Sequence, residues 1–422
     1  MDKFFYILFI KLYPVIAALT SPVNNKARLW LKGRKNIFRN IKSVLGDDPS
    51  KKVWMHCASL GEYEQGRPLL EKCKKLYPSY KLVLTFFSPS GYEVQKNSKL
   101  ADYIFYLPMD STHNANRFLD LVNPSVIIFV KYEFWYYYLK EAHNRKIPLL
   151  LASGLFLPSF SFFKWYGKMR REMLHFFTHL FVQTENSKQL LHSIGINNVN
   201  VTGDTRFDRV LQVASEIKAF PEIERFLNQT KTIVAGSTWT DDDEVLDHYA
   251  NTHTEYKFII APHVINKERL KECCSLYKHS ILYSEYINQL NKNEMPGESI
   301  NTIIIDNIGM LKFLYRYATI CFVGGGFGDD GIHNILEAAV YYKPVVFGPA
   351  FDKFSEAIDL IDKGGAFDVE DAIELEDELD ELLNDETAYA EACAIAGDYV
   401  KSNAGATNAI MKYIQENLLL IN

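Results

Sequence analysis

The sequence predicts an α/β protein built from two parallel-sheet domains, and three observations carry the prediction. The chain has 422 residues, more than one hydrophobic core comfortably serves, so two domains of roughly 150 to 200 residues are expected. Apolar runs alternate with amphipathic stretches, twice over: VWMHCA, KLVLTFF, YIFYL, VIIFV and PLLLAS in the first half, then TIVAG, YKFIIAP, NTIIID, ICFVGG and PVVFG in the second. Such nearly continuous short runs are what parallel strands covered by helices on both faces require. Apolar residues make up 48% of the chain and charged residues 23%, a balance that excludes a largely disordered chain.

These runs divide the chain into an amino-terminal segment over 1–45, a first Rossmann-like domain over 46–210, a second over 211–395 and a final helical stretch over 396–422. A cleft is expected between the two sheets. The last stretch, AIMKYIQENLLLIN, is expected to return to the first domain or the hinge.

Residues 4–20, FFYILFIKLYPVIAALT, are apolar apart from Lys11 and contain no small-residue cleavage site of a secreted precursor. With about 20 apolar residues needed to cross a bilayer and a charge in the middle, the segment reads as an anchor that lies in one leaflet more easily than it spans. It is expected to hold the protein at the membrane without contributing to chemistry. Directly after it, Lys26, Arg28, Lys32, Arg34, Lys35, Arg39 and Lys42 alternate with Leu29, Trp30, Leu31, Ile37 and Phe38, a pattern suited to an anionic membrane surface. Residues 1–45 hold nine Lys or Arg against Asp2 alone, so they carry +8 and leave −14 for the remainder of a chain of formal charge −6. That acidic remainder argues against a nucleic-acid partner. The basic flank places the body of the protein on the cytoplasmic side.

In an open parallel sheet, ligands bind beyond the carboxyl ends of the strands, and four such junctions stand out. After VWMHCA come Ser59, Leu60, Gly61 and Glu62; Glu62 is either a general base or only the first-turn partner of a helix dipole. After ICFVG come Gly324, Gly325, Gly326 and Gly328, with a helix expected to start around Ile332 to Asn334. There backbone N–H groups and a helix start can hold a phosphate, and Glu337 can reach the hydroxyls of a ribose. After IVAG, Ser237 and Thr238 either cap the following helix or meet a donor phosphate, and the acids of TDDDE serve as dipole partners. After IIAP stands His263, a structural group or a donor contact. Neither DDDE nor the six cysteines have metal-ligand or redox spacing, so no metal and no cofactor is expected.

Taken in order, these segments resemble the 3-deoxy-manno-octulosonic acid (Kdo) transferase family of lipopolysaccharide synthesis. The resemblance extends over HCASLGEYEQGRPLLEKCKKLYP, LTFFSPSGYE, YLPMD, YEFW, VQTEN and GDTRFD in the first half. In the second it covers GSTWTDDDE, APHVINKER, DNIGMLKFLY, FVGGGFGDDGIHNILEAA and KPVVFGPAFDKFSEA. It implies a GT-B fold and inverting, metal-independent transfer of Kdo from CMP-Kdo to a lipid A precursor at the cytoplasmic face of the inner membrane. Glu62 matches the family's catalytic glutamate. Ser237, Thr238, His263, Gly325, Gly326, Asn334 and Glu337 fall on the donor side, and Glu133 and Arg206 on the acceptor or charge-stabilising side. The chain departs from the family at several positions. The arginine usual between Pro262 and His263 is missing, passing its phosphate contact to Lys267 or Arg269; Lys131 and Met310 stand where acids are usual, and Arg206 replaces a lysine. The rival readings are a GT-B enzyme using a UDP-sugar on a membrane lipid and a non-catalytic nucleotide-sugar or lipid-binding protein.

Overall fold

A computed structural model describes every residue except 1, 217, 295, 296, 298 and 422. The described chain forms two units, 1–209 together with 404–422, and 210–403. Each unit is built on a seven-stranded sheet in which the paired strands run parallel. In the first, β1 (Lys52–Cys57), β2 (Lys81–Phe86), β3 (Tyr103–Tyr106), β4 (Pro124–Val130), β5 (Leu149–Gly154), β6 (His179–Val182) and β7 (Val199–Val201) lie in the order β3-β2-β1-β4-β5-β6-β7. The chain moves outward from β1 in one direction and resumes from β4 in the other, so the order reverses between these two neighbours. That is the position where a doubly wound sheet opens a crevice at its strand ends.

Alternation along β1 explains both of its buried faces. Val53, Met55 and Cys57 pack with Leu69, Leu70 and Cys73 of the helix that follows, and Trp54 packs on the opposite face with Phe118, Phe129 and Tyr138. Helix Ala406–Glu416 completes the first of these layers with Ile410, Met411 and Ile414; Met411 Sδ lies 3.8 Å from Cys73 Sγ. The boundary expected at 395/396 falls inside a continuous helix, Glu386–Ser402, which belongs to the second unit; the division comes at 403/404.

In the second unit, β8 (Thr232–Thr238), β9 (Lys257–Pro262), β10 (Ser280–Leu282), β11 (Thr302–Ile304), β12 (Ile320–Val323), β13 (Val345–Phe347) and β14 (Ala366–Asp368) lie in the order β10-β11-β9-β8-β12-β13-β14. The reversal here is between β8 and β12. The two junctions richest in serine, threonine and glycine, 237–239 and 324–328, therefore leave neighbouring strands.

Three helices precede β1: α1 (Asp2–Thr20), α2 (Asn25–Arg34) and α3 (Ile37–Leu45). α1 is long and apolar enough to cross a membrane by length and composition. One face is nevertheless fastened to the first unit. Tyr6 donates to Asp110 at 2.5 Å and accepts from the Tyr136 N–H at 3.0 Å, Tyr13 packs on Trp30 and Phe87, and Ile10 and Ala17 are buried. The other face leaves Phe4, Phe5, Leu8, Phe9, Leu12, Val15, Ile16 and Leu19 exposed. The segment over 1–45, expected as a membrane anchor and basic flank, is thus packed along one face on the first unit. This packing removes Arg34 and Trp30 from the expected membrane-facing set: Arg34 donates to the carbonyls of Leu107 and Phe87 and stacks over the buried Trp30. Lys26, Arg28, Lys32, Lys35, Arg39 and Lys42 remain exposed.

Asp110, buried and pushed up to about 6 by desolvation, relies on Tyr6 and on the N–H groups of Tyr137 and Tyr138. Tyr6→Phe leaves that carboxyl one donor short, and a loss of about 1–3 kcal/mol is expected in urea unfolding, with faster limited proteolysis at the α1–α2 turn. Unchanged unfolding and cleavage would show that α1 is held by apolar contact alone.

Candidate active site

Glu62 lies in the first turn of α4 (Leu60–Leu76), where the chain turns from β1 into the helix. Its carboxylate bends back to accept from the Ala58 N–H, with a further bond from the Ser59 N–H. Those bonds favour ionisation, as does Lys131. Burial and the negative charge of Glu133 oppose it more strongly, and the Glu62 carboxyl is pushed up to about 8. A carboxyl with this pKa accepts protons well near neutral pH, unlike an ordinary surface glutamate. The dipole reading accounts for the two backbone bonds but not for the raised pKa.

Glu133 arrives from the neighbouring strand β4, just across the order reversal. It is held by two groups: Trp135 Nε1–H donates to it at 2.5 Å and His56 Nε2 lies at 3.1 Å, while His56 Nδ1 in turn lies 2.8 Å from Thr85 Oγ1, which accepts from Trp54 Nε1–H at 2.8 Å. His56 shares the Trp54 face of β1 by strand alternation and is fully buried. Lys131, the first residue beyond β4, has φ +62°. For a lysine that left-handed backbone is disfavoured, and here it turns the chain so that 131–133 gather beside Glu62. Arg206 is tied to Asp204 through Nε at 2.8 Å, and Asp204 is held by Gln65. The Tyr132 hydroxyl feels both Arg206 and Glu62, so the cation belongs to the same cluster. Glu62, Glu133 and Arg206 are thus brought together; His56, Trp135 and Lys131 complete the group.

In the second unit the strand ends collect a different set. Trp239, His263 and His333 stack, with ring centroids 4.7 Å apart for the first pair and 4.3 Å for the second, and Trp239 Nε1–H donates to His333 Nε2 at 3.3 Å. Burial and the neighbouring His263 push His333 down to about 4; His263 is lowered by burial. Ser237 has φ +59°, a second strained residue at a strand end. Neither Ser237 nor Thr238 caps the next helix. Trp239 occupies the cap, and its N–H is taken by Asp242 at 2.8 Å.

Asp242 alters the reading of the glycine loop. Its buried carboxylate accepts from Gly325 N–H at 2.8 Å and also from Phe327 N–H, while Gly324 N–H goes to the Gly236 carbonyl. Gly325 N–H is therefore committed inside the protein and is not a phosphate donor. Gly326 is required for a different reason: a Cβ there would lie 2.5 Å from the Gly348 backbone nitrogen. The helix expected to start around Ile332 to Asn334 begins only at Leu336 and spans four residues, Leu336–Ala339, with His333 N–H drawn instead to the Gly324 carbonyl. Asn334 Nδ2 donates to Glu337 at 3.3 Å, pairing the two expected ribose contacts. Arg269 is buried on Asp243 and Glu272, which removes it as heir to the missing family arginine; Lys267 stays exposed at the start of its helix. Among the described residues, no group of three or more His, Cys, Asp or Glu side chains is placed to hold a metal ion.

The Glu62 carboxyl fixes a pH dependence. Raised in the folded state, it contributes stability that is fully present below the ordinary carboxylate range and lost as pH climbs to about 8. Glu62→Gln does not ionise, so the stability of the native chain relative to this variant should fall between about pH 4.5 and 8. A difference constant over that window, measured by urea unfolding, would return Glu62 to an ordinary carboxylate.

A family model described as 3-deoxy-D-manno-octulosonic-acid transferase (kdotransferase) matches residues 32–209. A 3-deoxy-D-manno-octulosonic acid transferase of Chlamydia trachomatis serovar A is 30% identical over 321 residues, 72% of this chain and 71% of that protein. A bifunctional glycosyltransferase/methyltransferase of Fusobacterium nucleatum is 27% identical over 88% of this chain, which spans 58% of that longer protein. Among solved structures, a UDP-GlcNAc 2-epimerase from Neisseria meningitidis, bound to UDP-GlcNAc, superposes with a TM-score of 0.62 at 18% identity, covering 86% of this chain and all of that one. That likeness supports the two-sheet GT-B fold. With the Chlamydia relative 30% identical over 71% of its length and the family model matching the first unit, the chain belongs to the Kdo transferase family of glycosyltransferases.

Proposed function

We propose that this enzyme transfers Kdo from CMP-Kdo to the lipid A precursor lipid IVA, with inversion and without a metal or cofactor, at the cytoplasmic face of the inner membrane. The observation that carries the reading is the Glu62–Glu133 pair, in which burial and the fixed neighbouring carboxylate together raise the proton affinity of Glu62. An acceptor sugar hydroxyl gives its proton to Glu62 as its oxygen bonds to the anomeric carbon of Kdo. The bond from that carbon to the phosphate oxygen breaks, its electron pair leaves with CMP, and inversion follows from attack opposite the leaving group. With Gly325 N–H occupied, the phosphate is left to Ser237, His263, His333 and Lys267. Both imidazoles can take up a proton when an anion arrives, and Asn334 and Glu337 meet the ribose. Exposed lysines and arginines on α2 and α3 suit anionic lipid headgroups.

Purified enzyme supplied with acylated precursor should form a Kdo-bearing product with CMP-Kdo and none with UDP-sugars, read by mass spectrometry; transfer from a UDP-sugar would overturn the donor assignment. Glu62→Gln should lower single-turnover transfer by about 10² to 10⁴ with CMP affinity unchanged. Glu337→Ala should weaken CMP binding about a hundredfold, or roughly 2–3 kcal/mol; unaltered CMP affinity would move the ribose elsewhere.

A further inference from the structure

A cavity of about 450 Å³ lies in the first unit between α1, the segment Tyr132–Trp135 and the helix Lys168–His175. This falls within the roughly 300–1,000 Å³ of typical ligand sites. Its apolar lining comes from Phe5 and Phe9 of α1, Phe134, and Met169 and Met173. Methionine and phenylalanine together make a wall that adapts to a flexible hydrocarbon. Phe5 and Phe9 are also 61% and 46% exposed on the outward face of α1, so the mouth of the cavity is continuous with that apolar face. Glu133 lines the same cavity, and through it the space borders the Glu62 cluster.

We infer that this cavity binds one fatty-acyl chain of the lipid acceptor, with α1 as one wall of the site. The inference rests on the proposed transfer to an acylated acceptor, and it gives α1 a role beyond attachment. An acyl chain entering past Phe5 and Phe9 leaves the polar end of the lipid beside Glu133. The depth at which the chain is gripped then sets which hydroxyl lies near Glu62. Continuity of the Phe5, Phe9, Phe134, Met169 and Met173 wall with the exposed apolar face of α1 favours a hydrocarbon chain along that wall, with the polar side of the cavity at Glu133 left for the headgroup end of the lipid. Asp2 and Arg170 mark the polar edge of the same space.

The test uses the full chain in detergent with acceptor carrying a photoreactive diazirine in one acyl chain, and peptides are read by mass spectrometry. Label is expected on Phe134, Met169 and Met173; label confined to the outward residues Phe4, Leu8 and Leu12 overturns the site, as does equal labelling by a phosphatidylglycerol probe of the same chain length. Independently, Met173→Trp, which puts a larger, rigid side chain into the wall and narrows the cavity, should raise the KM for acylated acceptor about tenfold while leaving kcat/KM for a deacylated, water-soluble acceptor within about twofold. Equal losses with both acceptors would overturn the inference. Label at the expected positions with no transfer from CMP-Kdo to either acceptor would instead overturn the proposed reaction and leave the acyl site standing.

Discussion

Parallel pairing is the constraint on which the molecule depends. A sheet whose strands all run in one direction delivers every strand's carboxyl end to the same edge. At the point where strand order reverses, the loops leaving two neighbours diverge to opposite faces and leave room for side chains that the sheet does not need. In the first unit that point lies between β1 and β4, and it is occupied by Glu62 and by Lys131–Glu133. In the second it lies between β8 and β12, occupied by Ser237–Trp239 and the glycine loop. One rule of topology thus places both sets of polar residues, although the two sets do different work.

What the topology gathers, buried hydrogen bonds tune. Two carboxylates brought close in a partly desolvated place cannot both ionise easily. The outcome depends on which is better held. Glu133 has Trp135 and His56 behind it, and His56 is itself steadied by Thr85. Glu62 has backbone N–H groups and the charge of Lys131, which do not offset burial and the nearby Glu133, and its proton affinity rises. In the second unit a comparable device works on geometry: Asp242, buried at the start of a helix, draws the Trp239, Gly325 and Phe327 amides to itself and so sets the course of the loop.

Much of this was legible in the residue order. Ten of the strands show as apolar runs, and the junctions after them supplied Glu62, His263, Asn334 and Glu337 directly. The strands that escaped notice, β6 (HLFV), β7 (VNV), β10 (SIL) and β14 (AFD), are short and each includes a polar residue, so none makes the unbroken apolar run that marks the equally short β12 and β13. The functions of single acids were harder to read. TDDDE looks like a uniform helix start, yet Asp242 binds a loop more than eighty residues on and Asp243 pairs with Arg269, because only burial distinguishes one acid from the next. Arg34 was grouped with surface charges for the same reason. His56 lay in plain view within VWMHCA, and alternation with Trp54 was the available signal that it points to the β4 side. The fastening of α1 was not legible at all, since it depends on Tyr6 meeting Asp110, residues 104 apart in the chain.

The central claim is that Glu133 tunes Glu62 to serve as the proton acceptor. Its most direct test is the pH profile of single-turnover transfer in the native chain and in Glu133→Gln. The account predicts a rate that rises with pH to a break near 8 in the native chain, and a break displaced to lower pH once the neighbouring charge is removed. A native profile without a break between about pH 6 and 9, or a break that stays in place when Glu133 is neutralised, would contradict it.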